Sequence, residues 1–485
     1  MRGDEQADRV EAAGEGHADA VETPVDARFE GRTPPVDARF EGRTLDGTTI
    51  AVYGLGKMGL PLAAVLADHG ADTIGVDIDE AVVDAVNEGQ CPVENEPGLP
   101  ELVAEQATRN LNATTDGAEA AAEADAMIAL VPTILDEQGK PDLGPLMAVA
   151  SDVREGLAPG NLVITESTLP PGTTAGRFAD AVAPEGLEPG IDFGIAHCPE
   201  RTASGRVLED LTESYPKIVG GLTAAGTAAA AGLYETFNEP GIHPVESPTA
   251  AEAVKVFEGV YRDANIALAN ELARACEQWG ISASDTFEAA NGQPYCHLHT
   301  PGCGVGGHCI PVYPHFVAER ADTPLVETAR TVNEEMPAHT VALLEALLAD
   351  AGRDLSEATV LVLGVTYRAG VRETRYAPAI DIFEILREEG ADVFAHDPLL
   401  SAETIRELGA RPVDSPEAVE DFDGLVLVTG HEEYGDLDLD GLADRMRTPV
   451  LVDGRNFFEG TDVASFAYAA IGEGSQGHPR YVGVE

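Results

Sequence analysis

Short apolar runs separated by alanine-rich helical stretches begin at Thr49 and return as a second series at Thr359, and this alternation admits few folds. The first series reads "TIAVYGLG", "DTIGVDID", "DAMIALVPT", "NLVITEST" and "FGIAHCPE"; the second reads "TVLVLGVTY", "ADVFAHDP", "GLVLVTG" and "PVLVDGR". Runs of this kind belong to strands buried on both faces, with the intervening helices as cover, so each series predicts a parallel sheet. The expected class is α/β, with two doubly wound, Rossmann-like parallel-sheet domains. At 485 residues the chain exceeds what one hydrophobic core organises, which agrees with several domains.

Between the two series lies "SPTAAEAVKVFEGVYRDANIALANELARACEQWG", which reads as one long helix. Thr249 and Glu252 have capping-box spacing, Val254, Phe257, Tyr261, Leu268 and Leu272 recur at helical intervals, and Gly280 follows as a stop. Long helices joining two α/β lobes often supply a dimer surface, so a homodimer through this helix is expected. The predicted boundaries are a first lobe over 46–243, a helical centre over 244–345 and a second lobe over 346–485. Residues 1–45 are polar, with "PVDARFEGRT" occurring twice, and lack the apolar surface needed to order themselves; they are predicted to be a disordered acidic tail.

Acidic residues number 85 against 30 basic, a formal charge of -55. Such a surface repels itself in dilute buffer, and a Debye length of roughly 3 Å at 1 M salt removes most of that cost, so the balance reads as adaptation to a salt-rich cytoplasm. It argues against nucleic-acid and anionic-membrane partners, and an anionic ligand must be held by local cations. No apolar run reaches membrane-spanning length and the N-terminus is acidic, which predicts a cytoplasmic protein. Six cysteines in so long a chain form no disulfide framework.

Two stretches carry chemistry. In "AVYGLGKMG", Gly54, Gly56 and Gly59 stand directly after a predicted strand and at the start of a helical pattern, and Asp77 closes the next run 21 residues after Gly56. Glycines so placed permit a tight turn and close approach of a pyrophosphate to a helix N-terminus. The acid binds a ribose 2′-hydroxyl and repels a 2′-phosphate, so NAD is predicted over NADP. The second stretch is "PGCGVGGHCIPVYP", residues 301–314, too rich in glycine for a core strand or a helix. A Cys309 thiolate can add to an aldehyde and be oxidised to a thioester if nearby positive charge lowers its pKa. Two other readings stand beside it. Cys309 is a small buried residue, or Cys296, His297, His299, Cys303, His308 and Cys309 hold zinc, although none of the pairs has Cys-x-x-Cys spacing.

Together "GLGKMG", "ESTLPPG", "CPER", "AVKVFEGVYRDANIALANEL" and "GVGGHCIPV" resemble the nucleotide-sugar (UDP-glucose/GDP-mannose) dehydrogenases from about residue 48 to 460, and within them the branch acting on UDP-N-acetylmannosamine or UDP-N-acetylglucosamine. The resemblance implies a four-electron oxidation of a UDP-sugar C6 alcohol to the carboxylate with NAD, through a thiohemiacetal and a thioester on Cys309. It implies that Lys255 stabilises oxyanion charge, and that Glu200 and Thr168 handle the proton or water. Lys57, Met58, Thr133 and Arg375 join the glycines and Asp77 at the cofactor, while Lys255, Arg262, Gly306, Arg368 and Arg455 contact substrate; no metal is implied. Guanidinium forks suit a diphosphate, with surface ion pairing as their plain alternative.

Two positions depart from the family pattern. Where it usually has asparagine four residues after the helix lysine stands Gly259, and where it usually has aspartate four residues after the cysteine stands Tyr313. Both residues normally polarise the oxyanion or the attacking water, so the hydrolytic half of the reaction is open on sequence grounds. A UDP-glucose 6-dehydrogenase and a non-catalytic nucleotide-sugar binder are the alternative functions. Cys303 occupies a position that is commonly proline, and Tyr295, His297 and His299 stand where a loop arginine is often found.

Overall fold

The computed structural model of the chain describes residues 44–136 and 138–473, so the predicted tail falls outside it apart from Thr44 and Leu45. Leu45 is buried in the first core. The described chain divides into two compact units: one contains residues up to 132 with 144–167 and 172–252, the other contains 133–143, 168–171 and 253 onward.

The first unit holds an eight-stranded sheet in the order β3-β2-β1-β4-β5-β6-β7-β8. Its strands are β1 (Thr49–Tyr53), β2 (Asp72–Val76), β3 (Leu111–Thr114), β4 (Ala126–Ala129), β5 (Leu162–Thr165), β6 (Gly194–His197), β7 (Lys217–Gly221) and β8 (Ile242–Pro244). The runs that the sequence marks as strands are β1, β2, β4, β5 and β6. These marked strands all pair in parallel, and β7, which the sequence does not mark, runs antiparallel to β6. The strands missed by the sequence reading are those with weak apolar runs: "LNAT" of β3, the glycine end of β7, and β8, whose Pro244 suits a sheet edge.

The second unit repeats the first six positions of that order, as β11-β10-β9-β12-β13-β14, all parallel. Here β9 is Thr359–Leu363, β10 Asp392–His396, β11 Arg411–Pro412, β12 Gly424–Leu427, β13 Val450–Asp453 and β14 Ala467–Ala470. The likeness extends to hydrogen bonds. After β1, Gly54 takes φ +95°, its N–H donates to Val76 O (2.7 Å), and Leu55 N–H donates to the Asp77 carboxylate (2.8 Å). After β9, Gly364 takes φ +82°, its N–H donates to His396 O (2.9 Å), and Val365 N–H donates to the Asp397 carboxylate (2.7 Å).

The two acids differ in what surrounds them. Asp77 is half-buried, whereas Asp397 is buried and also accepts from Thr366 and His431. Burial pushes the Asp397 carboxyl up, but these bonds and that from Leu399 outweigh it and hold the carboxyl well below the usual range. The second turn is therefore closed on itself, and the first is left open.

The long helix is a single element, Pro248–Trp279, stopped by Gly280 at φ +71°. Its cap differs from the expectation. Ser247 Oγ accepts from Ala250 N–H (3.2 Å), which places Thr249 inside the first turn, and the Glu252 carboxylate accepts from Gly172 and Thr174 N–H (2.5 and 2.7 Å) instead of closing a capping box.

Candidate active site

The first unit builds a turn shaped for an anionic ligand. A Cβ on Gly54 would run into the Leu130 carbonyl and one on Gly59 into the Gly54 carbonyl, so both positions admit only glycine. A Cβ on Gly56 would meet nothing within 4 Å, which leaves open space above the turn. The helix Gly59–Asp68 begins there with Met58 as its cap, no side-chain cap bond and no acidic residue in its first turn, so its positive end is not neutralised. Asp77 uses one lone pair of each oxygen on Leu55 and Asp79 N–H (2.8 and 3.0 Å), which aims the carboxylate and leaves further acceptor capacity for ribose hydroxyls. Lys57 is exposed beside the turn. These features fit a dinucleotide.

Glu200 follows β6 on the same unit. Its carboxylate accepts from the Thr202 hydroxyl (2.6 Å) and the Thr202 N–H, and that hydroxyl also lies 3.0 Å from Met58 Sδ, which ties Glu200 to the helix cap. Its own N–H donates to Glu166 O (3.2 Å). Glu166 is completely buried, paired with Lys217 (3.1 Å) and accepting from Tyr234 OH (2.5 Å). Burial raises the Glu166 carboxyl, and Lys217 opposes it. The neighbouring thiol and imidazole are inert: burial pushes Cys198 up to about 12 and His197 down to about 3.

Thr133 and Thr168 belong to the second unit. The Thr133 hydroxyl oxygen is buried with no hydrogen-bond partner among the described residues. Thr168 is half-buried in the turn after β5.

In the second unit the glycine-rich loop is clamped at its start and packed along its length. Gly302 N–H donates to Asn270 of the long helix (2.9 Å), and Cys303 N–H donates to Gly454 O (3.1 Å). Arg455 donates to Val428 O (3.0 Å) and Gly304 O (3.3 Å). Asn270 is itself held by Asn333, which donates to Asp263, and Asp263 is paired with the buried Arg330 (2.5 Å). None of these four polar residues stood out in the sequence, since each reads as a solvated position of a helix. Farther on, Gly307 N–H donates to Arg375 O (2.9 Å), and a Cβ on Gly306 or Gly307 would strike Tyr367 at 2.7 or 2.9 Å. The glycines thus serve close packing against the 364–377 loop.

Cys309 lies at the end of this loop, just before the short helix Tyr313–Ala318. His308 Nδ1 stands 3.2 Å from Cys309 Sγ. Burial raises the thiol, but His308, the Tyr313 hydroxyl and the Lys255 ammonium together outweigh it and hold Cys309 below the ordinary range. His308 is raised in turn, chiefly by its bond to Cys309, so the two favour a thiolate–imidazolium pair. His308, singled out from sequence only as a metal ligand, is a direct partner of the sulfur.

Exposed cations surround the pair. Arg262 on the long helix and Arg368 both act on Tyr367, which also senses Cys309, and Arg375 acts on His308. Arg455 differs from them, because its guanidinium is engaged with loop carbonyls. The other members of the Cys and His cluster are dispersed. Cys303 is fully buried with its thiol directed at Val428 O (3.5 Å), and His297 and His299 meet edge to face, His299 also meeting Tyr261. Among the described residues no three His, Cys, Asp or Glu stand together as a metal site.

Three family models match the chain: the NAD binding domain of the UDP-glucose/GDP-mannose dehydrogenase family over residues 48–238, its central domain over 249–335 and its UDP binding domain over 361–460. The UDP-N-acetyl-D-mannosamine dehydrogenase of Pyrococcus horikoshii is 36% identical over 428 residues, 88% of this chain and 99% of that protein. A solved structure of a UDP-D-ManNAc dehydrogenase from Pyrococcus horikoshii, 34% identical, superposes with a TM-score of 0.77, covering 88% of this chain and 100% of the other. That of the NDP-N-acetyl-D-galactosaminuronic acid dehydrogenase from Methanosarcina mazei, 29% identical, gives 0.81 and covers 91% and 98%.

Proposed function

The chain belongs to the UDP-glucose/GDP-mannose dehydrogenase family, whose members are NAD-dependent oxidoreductases of nucleotide sugars, and from that premise we propose that it oxidises the C6 alcohol of a UDP-N-acetylhexosamine to the uronate at Cys309. UDP-N-acetylmannosamine is the first candidate substrate, because it is the compound named for the Pyrococcus horikoshii relative.

The observation that carries this reading is Cys309 itself, a half-buried thiol held below its ordinary range beside His308, Tyr313 and Lys255. NAD supplies the hydride acceptor in both oxidations. Gly54, Gly56, Gly59, Lys57, Met58 and Asp77 would hold it, with Thr133 and Arg375 as further contacts. The alcohol first loses a hydride and a proton to give the aldehyde. Cys309 Sγ adds to the aldehyde carbon, with Lys255 balancing charge on the new oxyanion. The thiohemiacetal oxyanion then loses a second hydride to become a thioester. Water, handled by Glu200 and Thr168, cleaves the carbon–sulfur bond and returns the thiolate. One alcohol, two NAD and one water thus yield one carboxylate, two NADH and three protons. Arg262, Arg368 and Gly306 meet the nucleotide sugar, and we assign Arg455 to holding the loop.

Two further assignments go with this one. The long helix exposes Phe257 (57%), Tyr261 (54%), Leu268 (46%) and Trp279 (68%) along one stripe, the pattern of a surface awaiting a partner, and we assign it to a homodimer. We also place the protein in the cytoplasm: all six cysteines are free, and no helix among the described residues is long and apolar enough to cross a membrane.

The test is turnover in molar KCl with UDP-N-acetylmannosamine, UDP-N-acetylglucosamine, UDP-glucose and GDP-mannose in parallel. Two NADH per uronate are expected with the preferred sugar, and Cys309→Ser is expected to form no acid. Equal acid from the serine variant overturns the mechanism, and preference for UDP-glucose overturns the substrate.

A further inference from the structure

Gly259 lies in the interior of the long helix, where glycine costs about 1 kcal/mol relative to alanine. Its φ is not positive, so backbone conformation does not call for it. Sterics do. A Cβ at this position would overlap Cδ2 of Tyr313 and lie 3.0 Å from both Cε2 and Cγ, so the ring occupies the volume that any other residue would fill. Tyr313 is 6% exposed among Val256, Val312, Phe316 and Val317, with Cys309 packed on the same cluster. Its N–H donates to Cys309 O (3.0 Å), and its ring meets Phe316 at 6.1 Å. Held on these sides, the ring delivers its hydroxyl to Cys309 Sγ.

We infer that Tyr313, seated on Gly259, is the positioning residue of Cys309, and that the two departures from the family pattern form a single interdependent substitution. Lys255 is one turn before Gly259 and so shares its helix face, which brings the ammonium to the sulfur from the side against which the tyrosine packs. The groups facing the thiol are then His308 and Tyr313 from its own segment, Lys255 from the long helix and Tyr367 from the 364–377 loop, with Glu373 and Arg375 acting through His308. An uncharged donor among them stabilises a thiolate without the repulsion that a carboxylate would bring.

The inference rests on Cys309 being the nucleophile, so its test reads the thiol without NAD or sugar. Full-length protein in molar KCl is alkylated with iodoacetamide from about pH 5 to about pH 10, and modification of the Cys309 peptide is followed by mass spectrometry. Tyr313→Phe is expected to move the pH midpoint up by about one unit, the size of one hydrogen bond to a charged group, with thermal stability kept. Gly259→Ala is expected to move it the same way although the hydroxyl remains, because the ring is displaced, and the double variant is expected to move it no further than Tyr313→Phe alone. An unmoved midpoint in Tyr313→Phe, or a Gly259→Ala variant that loses stability alone, overturns the inference. A wild-type Cys309 that titrates as an ordinary thiol instead removes its premise, and the mechanism above with it.

Discussion

Glu252 shows how a single residue couples burial to pH. Burial lifts its carboxyl to about 7, against the N–H bonds from Thr174, Gly172 and Thr173, and the side chain is fully buried. Because the folded pKa exceeds the unfolded one, the folded state holds the proton more tightly between about pH 4.5 and 7 and stability falls as pH rises through that window. Glu252→Gln removes the titration but keeps only one of the two acceptor oxygens that Gly172 and Thr174 N–H use, a cost that does not vary with pH. Its stability is expected to stay flat across the window in which wild type loses up to about 3 kcal/mol, as read from urea midpoints at fixed high salt. Gly54 is constrained in the other way, by space. At φ +95° and against the Leu130 carbonyl, Gly54→Ala is expected to cost at least about 2 kcal/mol and to abolish NAD binding measured by calorimetry, while retained binding would separate the turn from the cofactor.

The long helix is an element with several loads. Its buried side carries Asp263 and Asn270, whose bonds to Arg330, Asn333 and Gly302 fix the start of the thiol loop. Asn270→Ala leaves the buried Gly302 N–H without its partner and is expected to lower stability by about 1–3 kcal/mol, with a drop in Cys309 alkylation rate that surface variants do not share. Its exposed stripe makes a separate prediction. Phe257→Asp or Leu268→Asp puts a charge into a surface assigned to a second copy, and sedimentation should show a dimer in wild type and monomers in both variants. A wild-type monomer at micromolar concentration refutes that assignment.

At the scale of the whole molecule, charge dominates. With 85 acidic and 30 basic residues, the folded chain gathers like charges that the unfolded chain spreads apart. The melting temperature is therefore expected to climb from about 0.2 to about 3 M KCl as screening shortens the range of repulsion. An insensitive melting temperature would show that local ion pairs neutralise the excess. Buried pairs such as Lys217 with Glu166 and Arg330 with Asp263 should contribute little to that slope, because solvent ions do not reach them.

Sequence alone determined the α/β class, both glycine turns' strands and the extent of the long helix, because each rests on local pattern: apolar runs, residue spacing and residues with restricted or unusual backbone freedom. The reversed β7, the Ser247 cap and the burial of Asp397 depended on which segments become neighbours. So did the role of Gly259, whose missing side chain leaves the space that the Tyr313 ring fills. Such contacts join residues far apart in the chain, and no periodicity records them; only the packed structure brings the sulfur, its imidazole, its tyrosine and its lysine to one point.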